Sequence, residues 1–224
     1  MGILLPLALL LDVDGTLFDT LDTILSTMNA ALDELGEPPL KLEELRPLIG
    51  MPVRRQMAIL RGMEGPIVNE ITERYYRHFV EHAARGLGLY PGVKETLAAL
   101  SDRPIGTITT RRREVARIML RAVGINGYFE AIVGGDEVSL PKPNPDLVFH
   151  AARAIEVPPE RCVVVGDAAV DILAGKAAGA WAVAAIYGYG KIASLQEAGP
   201  HAEISEFSEL ARVLEGLEAG VGES

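Results

Sequence analysis

Asp12 and Asp14 stand two residues apart where the apolar run Leu9-Leu10-Leu11 gives way to Gly15. On an extended strand, residues two apart share a face. Two carboxylates held that close need a counter-ion or a shared proton. A second apolar run, Cys162-Val163-Val164-Val165-Gly166, ends on Asp167, and Asp171 follows four residues later. If the two runs are neighbouring strands of one sheet, their carboxylates converge on one point. An all-oxygen cluster of that kind suits a hard divalent cation, magnesium in particular, with water and a substrate phosphate completing its shell.

Two further segments supply the positive and neutral complement. Thr109 closes Ile105-Gly106-Thr107-Ile108-Thr109, and Lys142 sits between prolines in Leu140-Pro141-Lys142-Pro143, a loop that they stiffen. A hydroxyl and an ammonium beside a cation cluster make a cradle for a phosphoryl group. Each residue alone has a plainer reading. Asp-x-Asp at a strand end is commonly a turn or cap, Lys142 a loop lysine, and Asp171 a solvated helix residue or ion-pair partner. Thr107 competes with Thr109 for the hydroxyl role, since the strand end could fall earlier.

For these residues to meet, the chain must lay its strands side by side. Leu21, Ile24, Leu25, Met28, Ala31, Leu32 and Leu35 recur at helical spacing over 19–36. The helical pattern continues through 42–49, 53–61 and 68–84, with Gly and Pro between and no strand signal. After Tyr90-Pro91-Gly92, apolar runs at 105–109, 131–134, 162–166 and 181–186 alternate with helical segments at 114–123, 145–155 and 168–178. Alternation of this kind predicts an α/β fold whose parallel sheet carries helices on both faces. An all-helical insertion follows the first strand. The expected organisation is a core domain of 1–19 and 86–224 and a helical cap of 20–85. Ligands of open α/β sheets bind at the carboxyl ends of the strands, where the aspartates fall.

Composition narrows the function further. With 224 residues there is room for one good core and a modest insertion. A formal charge of −10 argues against nucleic acid as a partner, so an anionic substrate must be met by local cations or a metal. The one cysteine, Cys162, has no partner for an internal disulfide and reads as a core thiol, which fits a reducing, cytoplasmic setting. The apolar opening over 2–11 has no basic segment before it and is too short to span a bilayer. It reads as a buried strand, and no membrane partner is expected.

Asp12-Val13-Asp14-Gly15-Thr16-Leu17, Thr109, Lys142-Pro143-Asn144-Pro145-Asp146 and Gly166-Asp167-Ala168-Ala169-Val170-Asp171 resemble the four ordered motifs of the haloacid dehalogenase superfamily. The resemblance spans nearly the whole chain and is nearest to the phosphoglycolate phosphatase-like branch, with its helical cap after the first motif. It implies a Rossmann-like core and a phosphatase acting on a small phosphorylated metabolite. Asp12 would be the nucleophile that forms an aspartyl-phosphate. Asp14 would protonate the leaving alcohol and then activate water, and Thr109 and Lys142 would hold the phosphoryl oxygens. Asp12, the Asp14 main-chain carbonyl and Asp167 would bind magnesium, with Asp171 supporting that site. The chain departs from the family pattern at Thr110, where Asn is common, and at Ala168, where Ser often follows the Gly-Asp pair.

Substrate contacts are expected from Thr110, from Arg111 as an anion-steering residue, and from Arg54 and Arg55 after Gly50-Met51-Pro52. Two readings stay open for Arg54 and Arg55: a bidentate grip on a substrate anion, or solvated helix positions. Hinges near Asp19 and over 87–91 would let the cap rock. A sugar-phosphate mutase and a non-catalytic phosphate- or partner-binding protein are the competing functions. Dehalogenation needs neither Asp14 nor the second cluster, and phosphonate hydrolysis wants a cap lysine that Lys41 matches poorly. The chain is expected to be a monomer or homodimer.

Overall fold

The computed structural model describes residues 6–221. The first strand, β1 (Ala8–Leu11), is buried throughout, and of the apolar opening Gly2 to Leu5 lie outside the described residues. A short β2 (Phe18–Asp19) leads into four helices: α1 (Leu21–Asp33), α2 (Leu42–Leu45) extended by a tighter turn at Arg46–Leu48, α3 (Val53–Arg61) and α4 (Pro66–Ala83). The chain returns through β3 (Gly88–Leu89), then α5 (Val93–Ala99), β4 (Ile105–Thr107), α6 (Arg113–Ala122), α7 (Asp146–Ala154), β5 (Cys162–Gly166), α8 (Ala169–Ala177), β6 (Trp181–Ala185), α9 (Ile192–Glu197), β7 (Ala202–Ile204) and α10 (Leu210–Val221). Among the described residues, no helix is long and apolar enough to cross a membrane.

Five strands form one parallel sheet in the order β4-β1-β5-β6-β7. The α/β expectation therefore holds, and the register explains why the site forms. β1 lies between β4 and β5, with Leu11 opposite Thr107 on one side and Val165 on the other. The segments that follow these strands thus emerge at one edge, which brings Asp12, Thr109 and Asp167 together. Side chains alternate across the sheet: Leu9, Leu11, Val163 and Val165 join one apolar cluster, Leu10 and Val164 the other. With both faces covered by helices, the strands read as continuous apolar runs.

The helices between β2 and β3 pack through their own apolar stripe, in which Ile24, Met28 and Leu32 of α1 and Ile71, Tyr75 and Phe79 of α4 are buried. Glycines and proline set the breaks, since α3 stops at Gly62 in the left-handed region (φ 63°) and α4 starts on Pro66. β2 and β3 pair antiparallel, Phe18 opposite Leu89 and Asp19 opposite Gly88, where the chain enters and leaves this helical segment. Arg112 ties the segment back to the sheet by pairing with Glu73 and stacking on Tyr76, with 4.5 Å from guanidinium to ring centroid.

The strand expected at 131–134 is reduced to a single bridge between Gly106 and Ala131. The Thr107 hydroxyl takes over the ladder there. It donates to the Val133 carbonyl (3.0 Å) and accepts the Val133 N–H (2.8 Å), after which Gly135–Glu137 turns away. The same bonds commit Thr107 to structure and end its competition with Thr109. α5, α9, α10, β7 and the β2–β3 pair have no counterpart in the expected elements.

Candidate active site

The turn after β1 is built for close approach. Asp12 N–H donates to the Val165 carbonyl at 2.9 Å, which extends the β1–β5 ladder one residue into the motif. Gly15 then takes φ +78°, and a Cβ there would come within 2.2 Å of Asp167 Oδ2. Only glycine meets both demands. At the end of β5 space alone requires glycine at Gly166, whose Cβ would lie 2.3 Å from that of Asp171.

Asp12, Asp167 and Asp171 are all buried, and each offers a carboxyl oxygen within 4.8 Å of the others. Lys142 is the cation among them. Its Nζ lies 3.2 Å from Asp12 Oδ1 and bonds Asp171 Oδ1. Asp171 Oδ2 accepts the Ala168 N–H at 2.9 Å, so this carboxylate is held from both sides. Asp167 accepts from Tyr189 N–H (2.8 Å) and from the Thr16 hydroxyl (3.3 Å).

One ammonium among three carboxylates leaves an excess of buried negative charge. Burial pushes the Asp12 carboxyl up from 3.8 to about 7, with Lys142 opposing and Asp171 and Asp14 adding to it. Asp167 is raised well above the usual carboxylate range by burial and then by Asp12 and Asp171. For Lys142, burial alone would depress the ammonium, but Asp12 and Asp171 outweigh it and raise it. A cluster of hard oxygen donors short of positive charge fits a divalent cation.

Asp14 faces elsewhere. Its carboxylate takes the Arg111 guanidinium, Nη2 to Oδ1 at 2.7 Å and Nε to Oδ2, together with the Thr20 hydroxyl. Arg111 is buried, stacked 3.6 Å from the Phe79 ring centroid, and donates to the Tyr75 hydroxyl at 3.0 Å. Burial opposes its charge, but Asp14 together with Tyr75 and Tyr76 outweighs burial and raises it. The two motif aspartates, so close in sequence, thus have separate surroundings. Asp12 belongs to the carboxylate cluster, and Asp14 to an arginine held by α4.

The remaining candidates divide. Thr109 is buried at the same edge, and its hydroxyl accepts the Arg111 N–H at 3.2 Å. A cavity of about 40 Å³ lies over Asp12 and Asp14, walled by Thr110, Arg111 and the Gly50–Val53 loop. Arg54 and Arg55 are exposed on α3 and do not line it, and Arg54 bonds Asn69 instead at 2.9 Å. The α3 residue that does line it is Gln56, buried, which donates to the carbonyls of Leu48 (3.1 Å) and Met51 (3.0 Å) and so shapes the loop above the aspartates. The spacing of Val53, Gln56 and Met57 marks that inward face.

Tyr187-Gly188-Tyr189-Gly190, after β6, is the other element that sequence reasoning missed. A Cβ at Gly188 would lie 2.3 Å from Asp167 Cβ and 2.4 Å from the Gly15 carbonyl, and one at Gly190 would lie 2.0 Å from the Asp167 carbonyl. This loop is pressed against the carboxylate cluster. Its signal was two alternating glycines at the carboxyl end of a buried strand.

Residues 9–185 match the family model described as haloacid dehalogenase-like hydrolase. A phosphoglycolate phosphatase of Chromobacterium violaceum is 32% identical over 196 residues, covering 84% of this chain and 88% of the relative. One from Nitrosococcus oceani is 28% identical over 217 residues, covering 93% and 96%. The solved structure of a predicted phosphoglycolate phosphatase from Haemophilus somnus superposes with a TM-score of 0.84 at 23% identity, over 95% of this chain and 99% of that one.

Proposed function

The chain belongs to the haloacid dehalogenase-like hydrolase family, and on that premise we propose that it is a magnesium-dependent phosphatase of small phosphate monoesters, phosphoglycolate-like in size. The observation that carries this reading is the division of labour between the two motif aspartates. Asp12, beside Lys142 and the other carboxylates, is suited to attack phosphorus. Asp14, apart from that cluster and lining the cavity, is placed to exchange a proton with the leaving oxygen.

Asp12 attacks phosphorus and forms an aspartyl-phosphate, while Asp14 gives its proton to the departing alcohol oxygen. Asp14 then takes a proton from water, which attacks the aspartyl-phosphate and releases inorganic phosphate. Lys142 and Thr109 hold the phosphoryl oxygens, where charge accumulates. Asp12, Asp167 and the Asp14 carbonyl would hold magnesium, and Asp171 fixes Lys142. When bound, magnesium supplies charge neutralisation and polarisation of the phosphoryl group. Residues 20–85 act as a cap whose Gly50–Val53 loop bounds the leaving group together with Thr110 and Arg111 of the core, and the β2–β3 pair is its hinge. A small phosphorylated metabolite in the cytoplasm is the partner, met by a monomer or homodimer.

The cavity of about 40 Å³ has room for roughly three waters at about 10–15 Å³ each. A second cavity of about 290 Å³ shares Asp14 and the Ile49–Met51 loop with it and reaches Asp167, so the preference for a small ester rests on the names of the relatives. Phosphate release should therefore be measured on phosphoglycolate, a hexose phosphate and a nucleoside monophosphate, with and without magnesium. Release should require magnesium, and kcat/KM should fall at least roughly tenfold from the two-carbon ester to the nucleotide. Metal-independent release, or preference for the bulky ester, would overturn the proposal.

A further inference from the structure

Tyr189 has no part in the chemistry above, although it touches both sides of the site. Its main chain is fixed against Asp167 by its own N–H (2.8 Å) and by the two flanking glycines, neither of which has space for a Cβ. The residue is buried, and its side chain crosses to the point where the chain leaves the sheet for the inserted helices. There the phenol oxygen accepts the Thr20 N–H. It lies 3.2 Å from the Phe18 carbonyl, 3.1 Å from Asp19 Oδ1 and 3.3 Å from the Thr20 hydroxyl. Thr20 is the residue on which α1 begins, and its hydroxyl donates to Asp14 Oδ1. A continuous set of hydrogen bonds therefore runs from Asp167 through Tyr189 and Thr20 to Asp14, and through Arg111 to Tyr75 on α4.

We infer that Tyr189 is a positioning residue for Asp14. It anchors Thr20 to the rigid loop beside Asp167, and Thr20 in turn aims the Asp14 carboxylate. The inference rests on the reading of Asp14 as the proton-transfer group. Loss of the phenol oxygen would leave the Asp167 contact intact, because that contact comes from the main chain.

The test is a double-mutant cycle of Tyr189→Phe and Thr20→Val, assayed with magnesium and phosphoglycolate beside Asp14→Asn. Each single change should lower kcat about ten- to hundredfold, part of what a general acid contributes, with KM and inhibition by inorganic phosphate within about twofold. The double variant should be little worse than the worse single one, because both break one path. Hydrogen exchange at the Thr20 amide should accelerate in Tyr189→Phe, a readout independent of turnover. Should one variant fail to fold, the other carries the same kcat and KM test. An unchanged kcat in Tyr189→Phe while Asp14→Asn is inactive would overturn the inference alone, as would multiplicative losses in the double variant. A wild-type protein that releases no phosphate would overturn the proposed function and this role with it.

Discussion

Asp12→Asn should abolish phosphate release while leaving the fold intact. Loss of the attacking oxygen removes the covalent path, so kcat should drop by on the order of 10⁴–10⁶. The fold should survive for electrostatic reasons. Asp12, Asp167 and Asp171 share one ammonium, and burial already holds Asp12 up to about 7 and Asp167 well above its usual range. An amide of the same shape removes a charge from a crowded site, and Lys142 keeps its bond to Asp171. Thermal unfolding without magnesium should therefore occur at a temperature equal to or above that of the wild type. A variant that retains turnover, or one that is unfolded, would contradict this account of the cluster.

Lys142→Ala should cost both activity and stability, in contrast to Asp12→Asn. The Lys142 side chain is 1% exposed and bonded to Asp171, itself fully buried. Removing the cation leaves like charges facing each other without compensation, and breaking a buried pair of this sort costs about 3–5 kcal/mol. It also removes a donor from the phosphoryl oxygens, worth on the order of 10²–10³ in kcat. Denaturant unfolding without magnesium and phosphate release with it measure the two effects. Wild-type stability would show that Lys142 is not the counter-charge of the cluster. Wild-type kcat would show that it does not face the phosphoryl group.

What was legible in the sequence follows from physics that a one-dimensional pattern preserves. Asp12 and Asp167 could be found because each ends an apolar run, and parallel strands buried on both faces bring such ends to one edge. The cluster of Asp12, Asp167 and Asp171 followed from those positions. The grip of Arg111 on Asp14 was not legible, because it depends on α4 bringing Phe79 and Tyr75 over the sheet edge. Of the two readings open for Arg54 and Arg55, the one they take is that of exposed helix positions. One position on a helix is about a quarter turn, enough to put Gln56 at the cavity wall and both arginines in solvent. At 131–134 the apolar pattern is real, but the Thr107 side chain supplies the hydrogen bonds that a strand ladder would have made. The Tyr187–Gly190 loop holds Asp167 by main-chain approach, for which the glycines are the only trace.

Attack by Asp12 is tested most directly by quenching the enzyme with acid during turnover of phosphoglycolate in magnesium, digesting it, and locating phosphoryl groups by mass spectrometry. One acid-stable, base-labile phosphoryl group is expected on the peptide that contains Asp12, absent from Asp12→Asn and from samples without magnesium. Full turnover with no phosphorylated aspartate, or with the group on another residue, would contradict attack by Asp12.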